Sequence, residues 1–374
     1  MDRQTKSDKL KSRLGQILMP TYIAATVERV IEEFQAGSLL FWSSNMVHLT
    51  RGARQMAELT NRLQQHSLER RGRPLWLHGF IDPAVMKWTF RWQAVLPTVA
   101  SVEEVEQAAR VFGRRWRAVG LHNFPGPTVN RPMYETCIAR NCAMQGDADL
   151  VSCYAAAMVR GITSQRCGTM AQHFPAHGAT PLDSHTDFPV VDLPRAQLMG
   201  EHIRPYEAAF AAGCTSICTA HLACTALDPD PSHVATTSSP ILTDFLRGEL
   251  RYDGLILADA IGMKGFWKNG PPAAMSVEAV AAGCDLICLD CPQAERTETQ
   301  RAVFAALAAA AGTPALPSAR LADAERRHLD FLGWLGVLDD PMVDPDWTDA
   351  VFADRDDAAF LADVNARLPA KVRC

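Results

Sequence analysis

Short apolar runs, each followed by a longer Ala- and Leu-rich amphipathic stretch, recur along this chain. That alternation is the pattern of parallel strands joined by crossover helices. Eight runs qualify as strands, at 16–19, 38–42, 74–80, 120–124, 169–174, 216–220, 254–258 and 285–289. Helical segments are predicted between them at 49–69, 101–118, 148–163, 195–212, 239–250, 273–282 and 294–311. Eight strand–helix units predict a single (β/α)8 TIM-type barrel of α/β class. A doubly wound sheet would alternate too, but the Gly-rich strand-to-helix turn of dinucleotide-binding folds is missing. The barrel is assigned to residues 1–312. Residues 313–374, with a helix at 321–334 and a loosely periodic stretch at 353–368, are expected to form a helical tail on its exterior.

A chain of 374 residues, 48% hydrophobic and 21% charged, is long enough for one such barrel. A net charge of −5 gives no basic stripe for a nucleic acid backbone. Residues 1–13 are polar, and nowhere do 18 apolar residues run together, which predicts a cytoplasmic protein with no membrane span. Of the eleven cysteines, Cys214, Cys218, Cys284 and Cys288 fall in apolar runs and read as reduced core thiols. The Cys288/Cys291 pair has no second pair at metal-finger spacing.

In a barrel of this kind the chemistry gathers at the C-terminal strand ends. Three places there carry polar side chains. The fifth strand opens through Gln172, His173 and His177 into a loop with Asp183, His185 and Asp187; the sixth ends at His221; the seventh, Leu255–Ala258, runs straight into Asp259. A carboxylate ending an apolar strand is costly to bury unless it is hydrogen-bonded or faces a polar cavity, so Asp259 is the candidate nucleophile. His185, two residues from Asp183, has the spacing of an imidazole oriented by a carboxylate, as a general acid/base requires. Plainer readings exist: Asp259 as a helix-capping carboxylate, His177 and His221 as residues that hold the loop, and Arg140 as an ordinary ion-pair partner. The run of His173, His177, Asp183, His185 and Asp187 contains metal-ligand types, but without an early His-x-His strand or a carbamylated-lysine equivalent no metal and no cofactor is expected.

The runs HFPAHGATPLDSH, CTAHLACTALDPDPSHVATTS and FLRGELRYDGLILADAIGMKG resemble glycoside hydrolase family 3, in its bacterial β-N-acetylglucosaminidase branch. The resemblance covers about residues 14–289 and is strongest over 172–265. It implies a retaining glycosidase acting on a β-glycoside, with Asp259 as nucleophile, His185 as acid/base and Asp183 as its partner. It implies His173 as a ligand of the sugar hydroxyls and Arg140 as a further sugar contact; Gln172, Asp82, His221 and Met263 are the other candidate substrate-binding residues. The chain also departs from the family. The family's Lys-His pair reads Gln172-His173, its acidic motif after the third strand is replaced by the run 78–83 with Asp82 shifted in register, and Ala258 and Ala260 flank Asp259. Losing a lysine and a carboxylate removes charge-assisted hydrogen bonds of about 1.5–3 kcal/mol each. A modified or deoxygenated sugar, or one on a bulky aglycone, is expected, with Phe80, Trp76 or Trp88 as apolar wall. Phosphorolysis or transglycosylation, or a sugar-binding barrel without catalysis, fits the same residues. The oligomeric state is left open.

Overall fold

The computed structural model describes residues 3–42, 52–80, 90–293 and 295–368. Eight parallel strands form the barrel: β1 Leu18–Met19, β2 Ser38–Trp42, β3 Trp76–Phe80, β4 Asn123–Phe124, β5 Gly168–Phe174, β6 Ser216–Thr219, β7 Leu255–Ala258 and β8 Leu286–Cys288. They pair in the order β1-β8-β7-β6-β5-β4-β3-β2. The ring closes where Tyr22 N–H donates to Leu40 O at 2.7 Å and Leu40 N–H donates to Pro20 O at 3.0 Å.

The predicted strands are all present; the second matches its run and the fifth starts one residue earlier, whereas the other six are shorter, the first and fourth reduced to two residues. The crossover helices follow their amphipathic segments. Helix α1 Arg3–Gln16 precedes β1; then come α2 Val27–Phe34, α3 Ala53–Arg71, α4 Val102–Ala118 and α5 Ala148–Thr163, α6, in which Arg195–Leu198 passes through a π turn into Arg204–Ala211, α7 Pro240–Glu249, wound as a π-helix, and α8 Pro272–Ala282, with α9 Arg296–Ala310 after β8. Local chemistry sets their starts. Ser101 Oγ accepts the Glu104 N–H while Glu104 Oε2 accepts the Ser101 N–H, a capping box for α4, and the Asp147 carboxylate caps α5 through the Leu150 N–H. Helices α1 and α2 were not foreseen; the polar start of the chain masks the apolar face of α1, whose Leu14 is buried.

Strand residues alternate between two cores, as a pleat of period two demands. Leu39, Phe41, Leu77, Ala171, Ile217, Ile256 and Ile287 join the core under the helices, whereas Leu40, Trp76, Met170, Cys218, Leu255, Leu257, Leu286 and Cys288 fill the barrel interior. The sequence places all of 313–374 on the exterior, but helix α10, Ser318–Trp334, reaches further in. Its Phe331 and Leu332, with Leu335 and Val337, join the interior cluster, and Phe331 meets Trp76 edge-on at 5.4 Å. The N-terminal mouth of the barrel is thereby plugged. Helices α11 Pro345–Phe352 and α12 Arg355–Arg367 pack on the outer helices, α11 on α3 and α4, and α12 on α4. No helix among the described residues is long and apolar enough to cross a membrane.

Several imidazoles are folded into these cores. Burial lowers His78 to about 3 and His177, His202 and His328 to about 4. An unfolded histidine titrates near 6.5, so below that value the unfolded chain binds protons that the folded chain refuses. Stability is therefore fully present above about pH 6.5 and is lost as pH falls toward 4, by up to about 1.4 kcal/mol per pH unit for each such histidine. Urea midpoints at pH 7.5, 6.5 and 5.5 should fall steeply across the last interval. A midpoint constant across it would contradict the burial of these rings.

Candidate active site

Pleat parity decides what faces the C-terminal mouth. On β7 the inward positions are Leu255 and Leu257, and the next in step is Asp259; on β8 they are Leu286 and Cys288, and the next is Asp290. The same step carries β2 from Leu40 to Trp42, β3 from Trp76 to His78 and β5 from Met170 to Gln172. All these end residues line one cavity of about 500 Å³. His173 would point away in a regular strand. Between Ala171↔Ile217 and Phe174↔Thr219 the pairing gains one residue on β5, and this bulge lets Gln172 and His173 both face the cavity. Asn130 fixes the bulge: its amide donates to His173 O at 3.0 Å and accepts the His173 N–H, and it also donates to the Tyr206 hydroxyl at 3.1 Å.

Asp259 Oδ1 accepts the Ala260 N–H at 2.7 Å, and Oδ2 lies 3.8 Å from His173 Nε2. Burial opposes charge on this carboxyl, but the imidazoles of His173 and His221 and the Ala260 amide outweigh it and hold its pKa below the usual value. Burial also keeps the His173 imidazole below its ordinary pKa, against the pull of Asp259. His221 is fully buried behind the nucleophile candidate. Its Nε2 lies 3.2 Å from the Ala260 carbonyl, which can only accept, so that nitrogen carries the proton, while Nδ1 meets Thr236 Oγ1 at 2.8 Å. It therefore orients the backbone beside Asp259 and is not itself part of the cavity wall.

Above the cavity, His185 Nδ1 lies 2.7 Å from Asp183 Oδ1, which also accepts the His185 N–H at 2.9 Å. Partial burial works against charge on Asp183, and these two hydrogen bonds more than offset it and lower its pKa. The pair fixes the tautomer and leaves Nε2 as the working nitrogen. The loop is tied down on two sides. Ser184, fully buried, meets His177 Nε2 at 2.7 Å, and Gly265 N–H donates to Ser184 O at 2.9 Å. Gly265 is required for this approach, because a Cβ there would sit 2.6 Å from His221 O and 3.2 Å from Ser184 O.

Of the other expected contacts, Gln172 and Met263 line the cavity, with Gln172 Nε2 also bonded to Thr128 Oγ1 at 3.0 Å. Arg140 is corrected: its guanidinium pairs with exposed Glu135 at 3.0 Å, and the turn presents Ile138, Ala139 and Cys142 to the cavity in its place. Solvent keeps the charged group out while the apolar side chains of the same turn bury. Trp76 is corrected as well; it sits in the barrel interior against Phe331, and Trp42 supplies the indole at the cavity. Asp82 and Trp88 lie outside the described residues, as does the Phe80 side chain. Among the described residues, the loop's potential metal-ligand types do not gather into one compact set; His173, Cys218 and Asp259 do. His78, Asp290, Arg296 and Asn130 were not singled out from sequence. Asp290 carried a usable signal, since it follows the apolar run of β8 as Asp259 follows that of β7. It accepts Thr21 Oγ1–H at 2.7 Å and Arg296 Nη2–H at 3.3 Å on the same oxygen.

Comparison with known proteins identifies the scaffold. The family model described as "Glycosyl hydrolase family 3 N terminal domain" matches residues 9–330. The chain belongs to glycoside hydrolase family 3. This family 3 glycosidase is 26% identical over 282 residues to a β-hexosaminidase of Pseudomonas aeruginosa, covering 74% of this chain and 82% of that protein. A β-hexosaminidase of Chromobacterium violaceum is 34% identical over 200 residues, 54% of this chain and 55% of the relative. Among solved structures, a family 3 β-N-acetylglucosaminidase from Paenibacillus sp. str. FPU-7 superposes with a TM-score of 0.83 at 25% identity, covering 96% of this chain and 68% of that one.

Proposed function

We propose that this family 3 glycosidase cleaves a β-glycoside with retention of configuration by double displacement. One observation carries the reading: the Asp259 carboxylate stands in the inward row at the end of β7 with Oδ2 toward the cavity, and the Asp183-oriented His185 lines that same cavity. Asp259 attacks the anomeric carbon while His185, protonated at Nε2, gives its proton to the departing oxygen. In the second step His185 takes a proton from water, which attacks the same carbon and releases Asp259. A covalent sugar adduct on the peptide carrying Asp259, trapped with a 2-fluoro glycoside and read by mass spectrometry, tests this. An adduct on another residue, or steady turnover of the fluoro sugar with none, would refute it.

The resemblance to β-hexosaminidases supports an amino sugar as the parent glycone. The walls argue for a modified one. Leu40, Trp42, Ile138, Met170, Leu257 and Met263 face the space, while the polar side chains there include Gln172, His173, His78, Asp290 and Arg296. With Gln172 in place of a lysine, we assign Asp290, supported by Thr21 and Arg296, the part of the missing carboxylate that grips sugar hydroxyls.

His185→Ala should lower turnover of glycosides with poor leaving groups about 10²–10⁴-fold, and glycosylation by dinitrophenyl glycosides far less, because those need little protonation. Pre-steady-state bursts on both substrate classes check it. An equal loss on both would remove His185 as the acid. Because the acid/base is an imidazole and not a second carboxylate, an anionic acceptor meets less repulsion in the second step. Phosphate-dependent turnover in the same assay, with a sugar 1-phosphate as product, would replace hydrolysis by phosphorolysis.

A further inference from the structure

We propose that His173, Cys218 and Asp259 form a site for one zinc-like divalent cation, and that its occupancy withdraws Asp259 from catalysis. The blocking effect rests on Asp259 being the nucleophile; the cation site does not. The three residues come from three adjacent strands: the bulged end of β5, the middle of β6 and the position just past β7. One donor atom from each, an imidazole nitrogen, a thiol sulfur and a carboxylate oxygen, lies within 4.8 Å of the other two. His173 Nε2 and Asp259 Oδ2 are 3.8 Å apart. Zinc bond lengths of about 2.0–2.3 Å in a tetrahedron put neighbouring donors roughly 3.3–3.6 Å apart, so small side-chain adjustments close the set around an ion.

The donor chemistry is selective. Nitrogen, sulfur and oxygen together suit Zn²⁺ or Cd²⁺, whereas Mg²⁺ and Ca²⁺ take all-oxygen sets. The ligands are also held from behind. Asn130 clamps the backbone of His173 on both sides, and Asp259 Oδ1 is occupied by the Ala260 N–H, which turns Oδ2 to the His173 side. The fourth coordination position opens into the cavity, leaving room for a water molecule. On binding, the Cys218 S–H bond breaks, its proton leaves to solvent and the sulfur bonds to the ion. Cys218 gives a thiolate where packing of the interior cluster alone would be served by any apolar side chain of similar size. An ion there occupies the place of the attacking carboxylate, so cation and sugar exclude one another.

Titrating the reduced, chelator-treated full chain with Cd²⁺ tests the site directly through the ultraviolet thiolate-to-metal absorption. The expected result is one equivalent per chain, displaced by Zn²⁺ but not by Mg²⁺. In Cys218→Ser the band should vanish and affinity fall at least about 10-fold, while Cys291→Ser, which removes another cavity thiol, should keep both. No band in the wild type, or a band that survives Cys218→Ser, overturns the site. Should Cys218→Ser fail to fold, X-ray absorption of the zinc-loaded wild type decides: one sulfur with nitrogen and oxygen ligands supports the site, and no sulfur or several sulfurs refutes it. Turnover measured alongside separates the two claims. Bound zinc that leaves turnover intact overturns the blocking effect and counts against Asp259 as nucleophile. Turnover abolished by Asp259→Asn in a protein that binds no zinc leaves the nucleophile and removes the site.

Discussion

Asp259→Asn should lower kcat at least about 10⁴-fold on dinitrophenyl β-glycosides, a loss of about 5.5 kcal/mol or more in transition-state stabilisation. The substitution is close to isosteric. Its amide oxygen can still accept the Ala260 N–H, and its shape preserves the packing beside Cys218 at the cavity. What goes is the negative charge of the carboxylate, whose Oδ2 lies opposite His173, and with it the capacity to form a glycosyl ester. The melting temperature should therefore stay within a few degrees of wild type while turnover collapses. A variant that keeps more than a tenth of the wild-type rate on these substrates, where acid assistance hardly matters, would remove Asp259 from the chemistry.

The second large effect is on stability. Asp285, at the entry to β8, is fully buried, and both its oxygens are taken: Oδ2 accepts Arg247 Nη2–H at 2.7 Å and the Ile256 N–H at 3.0 Å, and Oδ1 accepts Arg320 Nη2–H at 2.7 Å. Arg247 also donates to Tyr252 O and Gly254 O, and Arg320 to Val280 O, Gly283 O and Cys284 O. One carboxylate thus joins β7, β8, α7, α8 and α10. Removing it leaves the largely buried Arg247 guanidinium without its carboxylate, and Arg320 beside it with only the half-exposed Asp323, 2.9 Å away. Breaking a buried pair in this way costs about 3–5 kcal/mol, which for a chain of this size is a fall of about 5 °C in melting temperature. Asp285→Ala should show that loss, with whatever activity survives at low temperature unchanged in pH profile. A change below about 1 kcal/mol would mean that the arginines find water in the variant.

Much of the barrel was legible because parity and period are local properties. Leu255, Leu257 and Asp259 fall on one side of any strand drawn through them, and the apolar faces of α4 and α5 follow from helical spacing alone. Asp290 is equally legible on that rule, because it follows the apolar run of β8 as Asp259 follows that of β7. Arg140 shows the opposite error. Its motif suggested a sugar contact, but the turn faces the cavity with Ile138, Ala139 and Cys142, and the guanidinium pairs with Glu135 in solvent. Trp76 was expected in the apolar wall; it does point inward from β3, but one layer too deep, against Phe331.

From the residues alone came the strand count, the barrel class, the position of Asp259 at a strand end and the Asp183/His185 pairing, since each depends on neighbours within a few positions. Tertiary structure decided the rest. It set the bulge held by Asn130 that brings His173 into the cavity, the tie from His177 through Ser184 to Gly265, the meeting of Cys218 with His173 and Asp259, and the insertion of Phe331 into the barrel floor. Apart from the His177–Ser184 contact, these join segments tens to hundreds of residues apart. The loops between them have no local propensity that dictates their path, and only closing the eight-stranded ring puts their ends within reach of one another.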